Sequence, residues 1–513
     1  MRAVAFVPVR LTSSRLPEKH LRRIGDRTLL SWVIKRLKDC RELDDIVICV
    51  PSESESEKLK KVCDGEGVKL YIYPGDVNDV VGRLTSAAKL YNADICVLAS
   101  GDCPLLSSET IDRLVKFLRE NPEYSRVCIS PKGGRGVIHE GIGVARREVW
   151  ELCDKLSDTP ELREHQFPVM SLYPEEFERF KTAFIEDEDI FYSLNHRISV
   201  DTPSDLKFMN ILYSELKANG MNFNLRNAIN ILQKKPEIMR INSSVKRKGL
   251  KDKNFKAAFI VSAVREFGFG NLMRSLEIAD ELTNRGIGVR FFVLDAAAKS
   301  ICQKRYFSAE IIEDILSINK ADIISNFNIV VFDINSKINL SKSIIKDIKS
   351  RGAKTVVIDN SSEGSEECDL VIIPTAHYTG EVRENMIYGP EFVVIRKEVQ
   401  NIDRCKSERS GVVVRVSDKF KEHVLNTWGK VEIISSFTHD FAHKLAKAQI
   451  AILHLGLSCY EAIYLNTPVI VIPRGEDEIP EISAFYRFCM SRDIEKLGDG
   501  ASRIAEILER LLK

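Results

Sequence analysis

Short runs of almost wholly apolar residues alternate with amphipathic stretches up to about residue 232. The runs at 3–7, 45–50, 68–73 and 94–99 read as strands, and the stretches near 28–38, 53–63, 79–91 and 108–120 read as helices. Leu29, Leu30, Val33, Ile34 and Leu37 return at the period of about 3.6 residues that marks a helix laid on a sheet. Uniformly apolar strands alternating with helices predict an α/β domain with a parallel, doubly wound sheet. In such sheets ligands bind outside the carboxyl ends of the strands. The loop after the first strand is therefore the first place to look for chemistry.

The alternation breaks at 233–256. Gln233-Lys234-Lys235-Pro236 opens a stretch that continues through Ser243-Ser244-Val245-Lys246-Arg247-Lys248-Gly249 and reads as a basic, solvated linker. From Ala257 a new alternation starts, with Phe259-Ile260-Val261 as its first strand. The chain thus divides into domains at 1–232 and 257–513, in keeping with the two or three domains expected of 513 residues.

Composition narrows the function classes. Hydrophobic residues make up 44% and charged residues 29%, as in a soluble globular protein. Lys+Arg of 75 against Asp+Glu of 74 leaves a formal net charge of +1, so no basic excess recommends nucleic acid as a partner. Twelve cysteines form no Cys-x-x-Cys pair, and many (Cys49, Cys96, Cys128) lie in apolar runs. That pattern fits reduced thiols in a cytoplasmic protein rather than a disulfide framework or a zinc site. The N-terminus is a strand with an Arg at position 2 rather than a signal peptide, and no apolar run approaches about 18 residues, so no membrane partner is expected. A homodimer is compatible with such a chain.

The first strand, Ala3-Val4-Ala5-Phe6-Val7, opens at once into Pro8-Val9-Arg10-Leu11-Thr12-Ser13-Ser14-Arg15-Leu16-Pro17-Glu18-Lys19-His20-Leu21. Arg10, Arg15 and Lys19 repel one another, so a compact loop is best explained by an anion among them. A nucleoside triphosphate suits this set, because Arg grips phosphate through its planar fork and Lys as a point charge. The plain alternative is a solvated basic loop.

Pro8-x-Arg10-x-x-Ser13-Ser14-Arg15-Leu16-Pro17-x-Lys19 resembles the N-terminal signature of the sugar cytidylyltransferases. These include the enzymes that load 3-deoxy-manno-octulosonate and sialic-acid-like sugars onto CMP, and the spore-coat polysaccharide type. The resemblance implies a Rossmann-like nucleotidyltransferase domain whose loop wraps CTP. Arg10, Arg15 and Lys19 would lie on the triphosphate, with Ser13 and Ser14 as supporting donors and Pro8 and Gly101 in the same nucleotide pocket.

Two aspartates follow apolar runs: Asp102 in Gly101-Asp102-Cys103-Pro104-Leu105 and Asp201 in Val200-Asp201-Thr202-Pro203-Ser204-Asp205-Leu206. Attack on an α-phosphate needs its charge neutralised, and Mg²⁺ is commonly held by one or two carboxylates plus substrate phosphates. Either Asp alone is also an ordinary turn residue or helix cap. Together the motifs resemble the two carboxylate motifs of the same family, which implies Asp102 and Asp201 as magnesium ligands. Asp79-Val80-Val81-Gly82-Arg83 resembles the family's Asp-Val-Leu-x-Arg motif and implies a nucleotide or acceptor contact for Arg83. The alternative is Asp79 as a helix cap with Arg83 in solvent. On the acceptor side, Glu140 sits in a loop, and Glu164-His165-Gln166-Phe167-Pro168 resembles the family's Glu-His-x-x-Pro turn. His165 would face the sugar or cap a helix. The attacking oxygen belongs to the substrate, so no protein nucleophile is needed and catalysis is positioning and charge stabilisation.

In the second half a helix carries Leu272, Leu276, Ala279 and Leu282 on one face behind Gly268-Phe269-Gly270, a Gly-x-Gly that by itself commonly permits tight packing. This entry, the segment Tyr388–Lys397 and the segments Ala448–Glu461 and Asn466–Pro473 resemble the UDP-sugar hydrolase of pseudaminic acid synthesis and its legionaminic-pathway relative. That resemblance implies a glycosyltransferase-B-like (GT-B-like) domain of two Rossmann-like lobes, at about 257–395 and 410–513. Its UDP-sugar site would comprise Gly268, Gly270, Asn271, Gly456, Ser458 and Glu461, with the diphosphate at a helix N-terminus and Glu461 on the ribose hydroxyls.

Two departures weigh against hydrolysis. Asn271 stands where the family has a catalytic His, and Asn cannot accept and return a proton near neutral pH. Val414-Arg415-Val416-Ser417-Asp418 replaces a glycine-rich phosphate loop, so Arg415 either contacts phosphate or narrows the site. His454 and His439 are candidate substitutes for the missing base. The expectation is a Mg²⁺-dependent synthetase that makes a CMP-sugar from CTP and an acidic 2-keto sugar, a nonulosonate for surface glycan, fused to a degenerate UDP-sugar-binding domain. The rivals are a fully bifunctional enzyme and a non-catalytic UDP-sugar-sensing or partner-docking module.

Overall fold

Strand β1 (Ala3–Pro8) lies in the interior of a sheet, with Ala5 opposite Ile46 on one side and Val97 on the other. In this computed structural model all residues are described except 52, 247–254, 264–268, 315–325, 336–337, 403–408, 429–430 and 434–439. The chain forms two units, Met1–Lys253 and Asn254–Lys513.

In the first unit β1 is joined by β2 (Asp45–Val50), β3 (Lys69–Ile72), β4 (Ile95–Ala99), β5 (Arg126–Ile129), β6 (Ile142–Arg146) and β7 (Thr182–Ile185), in the order β3-β2-β1-β4-β6-β5-β7. Helices α1 (Leu29–Lys38), α2 (Glu53–Glu66), α3 (Val80–Leu90) and α4 (Ser108–Glu120) alternate with these strands. The periodic face of α1 is buried, and Thr28 caps its start by accepting a hydrogen bond from the Ser31 amide at 3.1 Å. The wholly parallel sheet expected from the apolar runs is corrected at one strand: β6 runs antiparallel to both β4 and β5. Only a loop joins β5 to β6, and without a crossover element the chain must reverse.

The linker expected at 233–256 is also corrected. Pro236–Ile241 forms a 3₁₀ turn with Ile238 buried, and Asn242 is buried against the first unit, its amide donating to Asp205 at 2.9 Å. Lysines dominate the composition of this stretch, but its sparse apolar and amide side chains decide where it packs.

The second unit contains a seven-stranded, all-parallel sheet made by β8 (Lys256–Val261), β9 (Gly288–Val293), β10 (Ser308–Ile311), β11 (Ile329–Asp333), β12 (Lys354–Ile358), β13 (Leu370–Ile373) and β14 (Met386–Tyr388). Their order is β10-β9-β8-β11-β12-β13-β14. A second parallel sheet, β16-β15-β17-β18, is made by β15 (Val412–Arg415), β16 (Glu432–Ile433), β17 (Ile450–Leu453) and β18 (Val469–Val471). Leu272, Leu276, Ala279 and Leu282 are all buried beneath the helix 270–284, as their spacing predicts. The final helix, Gly500–Leu512, returns to this same core through Ala501, Ile504, Ala505 and Leu508. The described cysteines are free thiols, and among the described residues no helix is long and apolar enough to cross a membrane.

Candidate active site

The loop after β1 is held by its own apolar and backbone contacts. Leu16 is fully buried, its amide donates to Ser13 Oγ at 3.3 Å, and the Glu18 amide donates to the Leu11 carbonyl at 3.1 Å. His20 is buried with Nδ1 3.0 Å from the Arg10 carbonyl. Gly101 lies against this packing: a Cβ there would stand 3.0 Å from His20 Nε2 and 3.1 Å from the Pro8 carbonyl oxygen, so any side chain would push these neighbours back by a few tenths of an ångström.

The loop delivers one ammonium to two carboxylates. Lys19 Nζ donates to Asp102 Oδ2 at 2.8 Å and to Asp201 Oδ1 at 2.7 Å. Arg15 stands 3.4 Å from Asp201 Oδ2, and Arg197 pairs with the same carboxylate. The two aspartate segments are tied together by the Val200 amide, which donates to the Asp102 carbonyl at 2.9 Å. Burial disfavours charge on Lys19, but Asp102 and Asp201 outweigh it and hold the ammonium above its ordinary pKa. Burial likewise opposes the Asp201 charge, and Lys19, Arg15 and Arg197 outweigh it, holding this carboxyl well below the usual carboxylate range. Burial, helped by the neighbouring Lys19 charge, pushes the His20 imidazole down to about 3.

Sequence reasoning missed the residues that orient Asp201. Asp205 is fully buried and accepts from the Asp201 amide at 3.0 Å, the Thr202 amide at 3.0 Å and Asn242 at 2.9 Å, while Arg197 Nε lies 3.3 Å away. Thr202 and Asp205 form a reciprocal capping box at the start of the helix Pro203–Ala218. The Thr-x-x-Asp spacing before an apolar run is the signal that could have found it. Arg197 and Asn242 carry no local signal.

The other candidates fall into three groups. Arg10 is half-buried and its side chain pairs away from the two aspartates, donating to Asn78 Oδ1 at 3.1 Å and standing 3.7 Å from Glu164. Pro8 ends β1, and Ser14 is exposed on the loop. Arg83 is not a solvent-facing contact: it is buried and donates to the Val77 carbonyl at 2.6 Å and the Val9 carbonyl at 3.5 Å, bracing the loop from behind. Asp79 caps α3, accepting from the Gly82 amide at 2.8 Å. Glu140 accepts from the Ser199 amide at 3.0 Å and so supports the irregular segment that leads into Asp201, while His165 is exposed beside Glu164.

The donor set fits a divalent cation. Both carboxylates already converge on one positive charge, and an oxygen-only pair suits a hard ion that completes its shell with phosphate oxygens. Among the described residues no group of three or more His, Cys, Asp or Glu could hold a metal alone, so substrate oxygens would have to contribute.

In the second unit Gly268 and His439 lie outside the described residues. Gly270 opens the helix 270–284, and Asn271 Oδ1 accepts from Arg274 at 3.4 Å. Gly456 precedes the helix Leu457–Tyr464, and Ser458 Oγ accepts from Arg415 at 3.0 Å. Glu461 is fully buried with both oxygens held by Arg396, at 2.6 and 2.8 Å. His454 does not replace a base: Nε2 accepts from the Ser417 amide at 2.9 Å and Nδ1 faces the Ile472 carbonyl at 2.7 Å, so both nitrogens are engaged.

Residues 4–219 match the family model described as cytidylyltransferase, and the N-terminal part of this chain belongs to that family. The chain is 30% identical over 255 residues to an uncharacterized protein of Methanocaldococcus jannaschii, covering 49% of this chain and 99% of that protein. It is 28% identical over 130 residues to the 3-deoxy-manno-octulosonate cytidylyltransferase of Bdellovibrio bacteriovorus, covering 25% of this chain and 51% of that enzyme. The match thus spans about half the length of that curated relative. A solved cytidylyltransferase from Leptospira borgpetersenii is 25% identical with a TM-score of 0.38, over 47% of this chain and 97% of that one.

Proposed function

We propose that the N-terminal unit transfers CMP from CTP to the anomeric hydroxyl of an acidic 2-keto sugar and releases pyrophosphate. The observation that carries this reading is the Lys19 ammonium between Asp102 and Asp201, delivered by a loop that also bears Arg10 and Arg15. The octulosonate enzymes among the relatives support an acidic sugar acceptor, and the resemblance of second-half segments to a hydrolase of sialic-acid-like sugar synthesis is the reason to extend the reading to a nonulosonate, made in the cytoplasm for surface glycan.

Lys19 exchanges its two carboxylates for phosphate oxygens when the triphosphate arrives, and Arg15 and Arg10 add their forks to the same anion. A Mg²⁺ ion held by Asp102 and Asp201 would supply charge neutralisation of the triphosphate. Asp205 and Arg197 keep Asp201 in place during the transfer. The substrate oxygen attacks the α-phosphorus, and the charge growing on the departing pyrophosphate is met by groups already oriented in the free protein. The second unit reads as a GT-B-like module that binds a UDP-sugar, with Ser458 and the adjoining helix start at the diphosphate.

The test is pyrophosphate release from CTP and Mg²⁺ with a panel of nonulosonic and octulosonic acids, in wild type and Asp102→Ala. Release with one acid, lost in the variant, is expected. CTP binding with no release for any acid would overturn the acceptor class.

A further inference from the structure

Strand β7 (Thr182–Ile185) is the last in the order of the first unit's sheet, and among the described residues no strand pairs with its far side. The Lys181 and Ile185 carbonyls turn inward, accepting from the Ser125 and Ser130 amides beside β5 at 2.9 Å each. The alternation of a strand then turns the N–H and C=O groups of Thr182 and Phe184 outward.

Open edges are commonly blunted by a charge. The opposite edge strand, β3, is blunted in this way: Lys69 pairs with Asp45 and lies 5.3 Å from the centroid of the Tyr91 ring. Strand β7 instead carries Phe184, which stands beside half-buried Cys128 of β5 and is 68% exposed. Its ring and the unmade backbone bonds offer what another strand would cover.

The charges around β7 select that strand. Arg179 and Lys181 precede it, and Glu186, Asp187, Glu188 and Asp189 follow it. Among the described residues neither cation makes an ion pair, and Arg179 lies 4.7 Å from the Phe180 ring. At the other end Lys132 reaches Glu186 at 3.2 Å and Asp189 at 2.6 Å, yet those side chains stay 56% and 84% exposed. A segment basic at its start and acidic at its end complements its own antiparallel copy. A parallel copy would set like charges together.

We infer that β7 is the seam of an isologous homodimer, pairing antiparallel with β7 of a second copy so that the two seven-stranded sheets join. Opposed side chains in an antiparallel pair share a face, so a two-fold axis normal to the sheet passes through a residue. Centred on Phe184, the register sets the two rings against each other, Thr182 opposite Glu186 and Arg179 opposite Asp189, with Lys181 beside the acidic run. Centred on Ala183, it would set Glu178 opposite Glu188, like against like. Phe184 is therefore the centre. The pairing uses up both outward edges, so association through this strand stops at two copies. So short a seam belongs with interfaces below about 1,200 Å², which are weak, and micromolar association is expected.

Sedimentation equilibrium of the full chain between about 1 and 100 μM tests this, since that range spans a micromolar constant. Wild type is expected to pass from monomer to dimer across the range, and added NaCl to weaken the dimer. Phe184→Asp places two carboxylates on the axis and is expected to weaken association at least tenfold. Arg179→Glu combined with Lys181→Glu sets acid on acid and is expected to do the same; it carries the test should Phe184→Asp lose its native circular dichroism. A wild type still monomeric at the highest concentration overturns the seam. So does a dimer that the folded variants leave at wild-type strength.

Discussion

Lys19 and Asp201 are 182 positions apart in the chain, yet their side chains meet at 2.7 Å, and the same ammonium reaches Asp102 at 2.8 Å. The protein thus pairs its two candidate metal ligands with cations of its own, Lys19 on both and Arg15 and Arg197 on Asp201. The proposed exchange requires Lys19 to leave both carboxylates before a cation can bind them.

Lys19→Met should separate these roles. Charge-assisted hydrogen bonds contribute about 1.5–3 kcal/mol each, so freeing the carboxylates should raise the affinity of the nucleotide-free protein for Mn²⁺ on the order of tenfold. Pyrophosphate release should fall at least as steeply. Unchanged Mn²⁺ affinity, measured by titration calorimetry, would contradict the exchange.

Asp201 should make stability sensitive to acid. Its folded pKa lies below the value of about 3.9 expected in the unfolded chain. The unfolded state therefore takes up the proton first, and stability present above about pH 4 is lost as pH falls further. Urea midpoints of wild type and Asp201→Asn should differ at pH 6, and the difference should begin to narrow as pH falls below about 4. A constant difference would mean that the pairing does not stabilise the fold.

His20 adds a loss in the same direction over a different window. An ordinary His takes a proton at about 6.5, whereas buried His20 resists until about 3. Below pH 6.5 the unfolded chain is favoured by protonation that the folded one refuses. Imidazole ¹³C shifts of His20 should stay in the neutral range down to pH 4; an inflection near 6.5 would show that it is not enclosed.

Arg83→Met should behave as a stability variant. Its guanidinium bonds two carbonyls behind the loop, at Val77 and Val9. Loss of these bonds should cost about 2 kcal/mol of unfolding free energy, with the CTP KM raised through a loosened loop. Normal stability with a raised KM would restore it to a direct nucleotide contact.

Much of the first unit was legible because its apolar runs and amphipathic periods are local. Val33, Ile34 and Leu37 announce α1 without reference to any distant residue. The direction of β6 was not, since strand polarity follows from pairing partners and loop length. Arg10, Arg15 and Lys19 are crowded within one loop, so their charge was legible locally; the structure brings Lys19 and Arg15 to Asp201, whereas Arg10 pairs with Asn78 and Glu164. Arg197, Asp205 and Asn242 act through one another across the fold.

Asn242 lies beyond the compositional boundary at 232, yet its amide steadies Asp205, which in turn holds the Asp201 turn. A shortened chain ending at 232 would keep both aspartates and every residue of the phosphate loop while losing that rivet. Its pyrophosphate release should fall well below that of a chain ending at 246. Where one half of a fused enzyme can be cut free is thus decided by the amide that braces its carboxylate, not by the lysines that advertise a join.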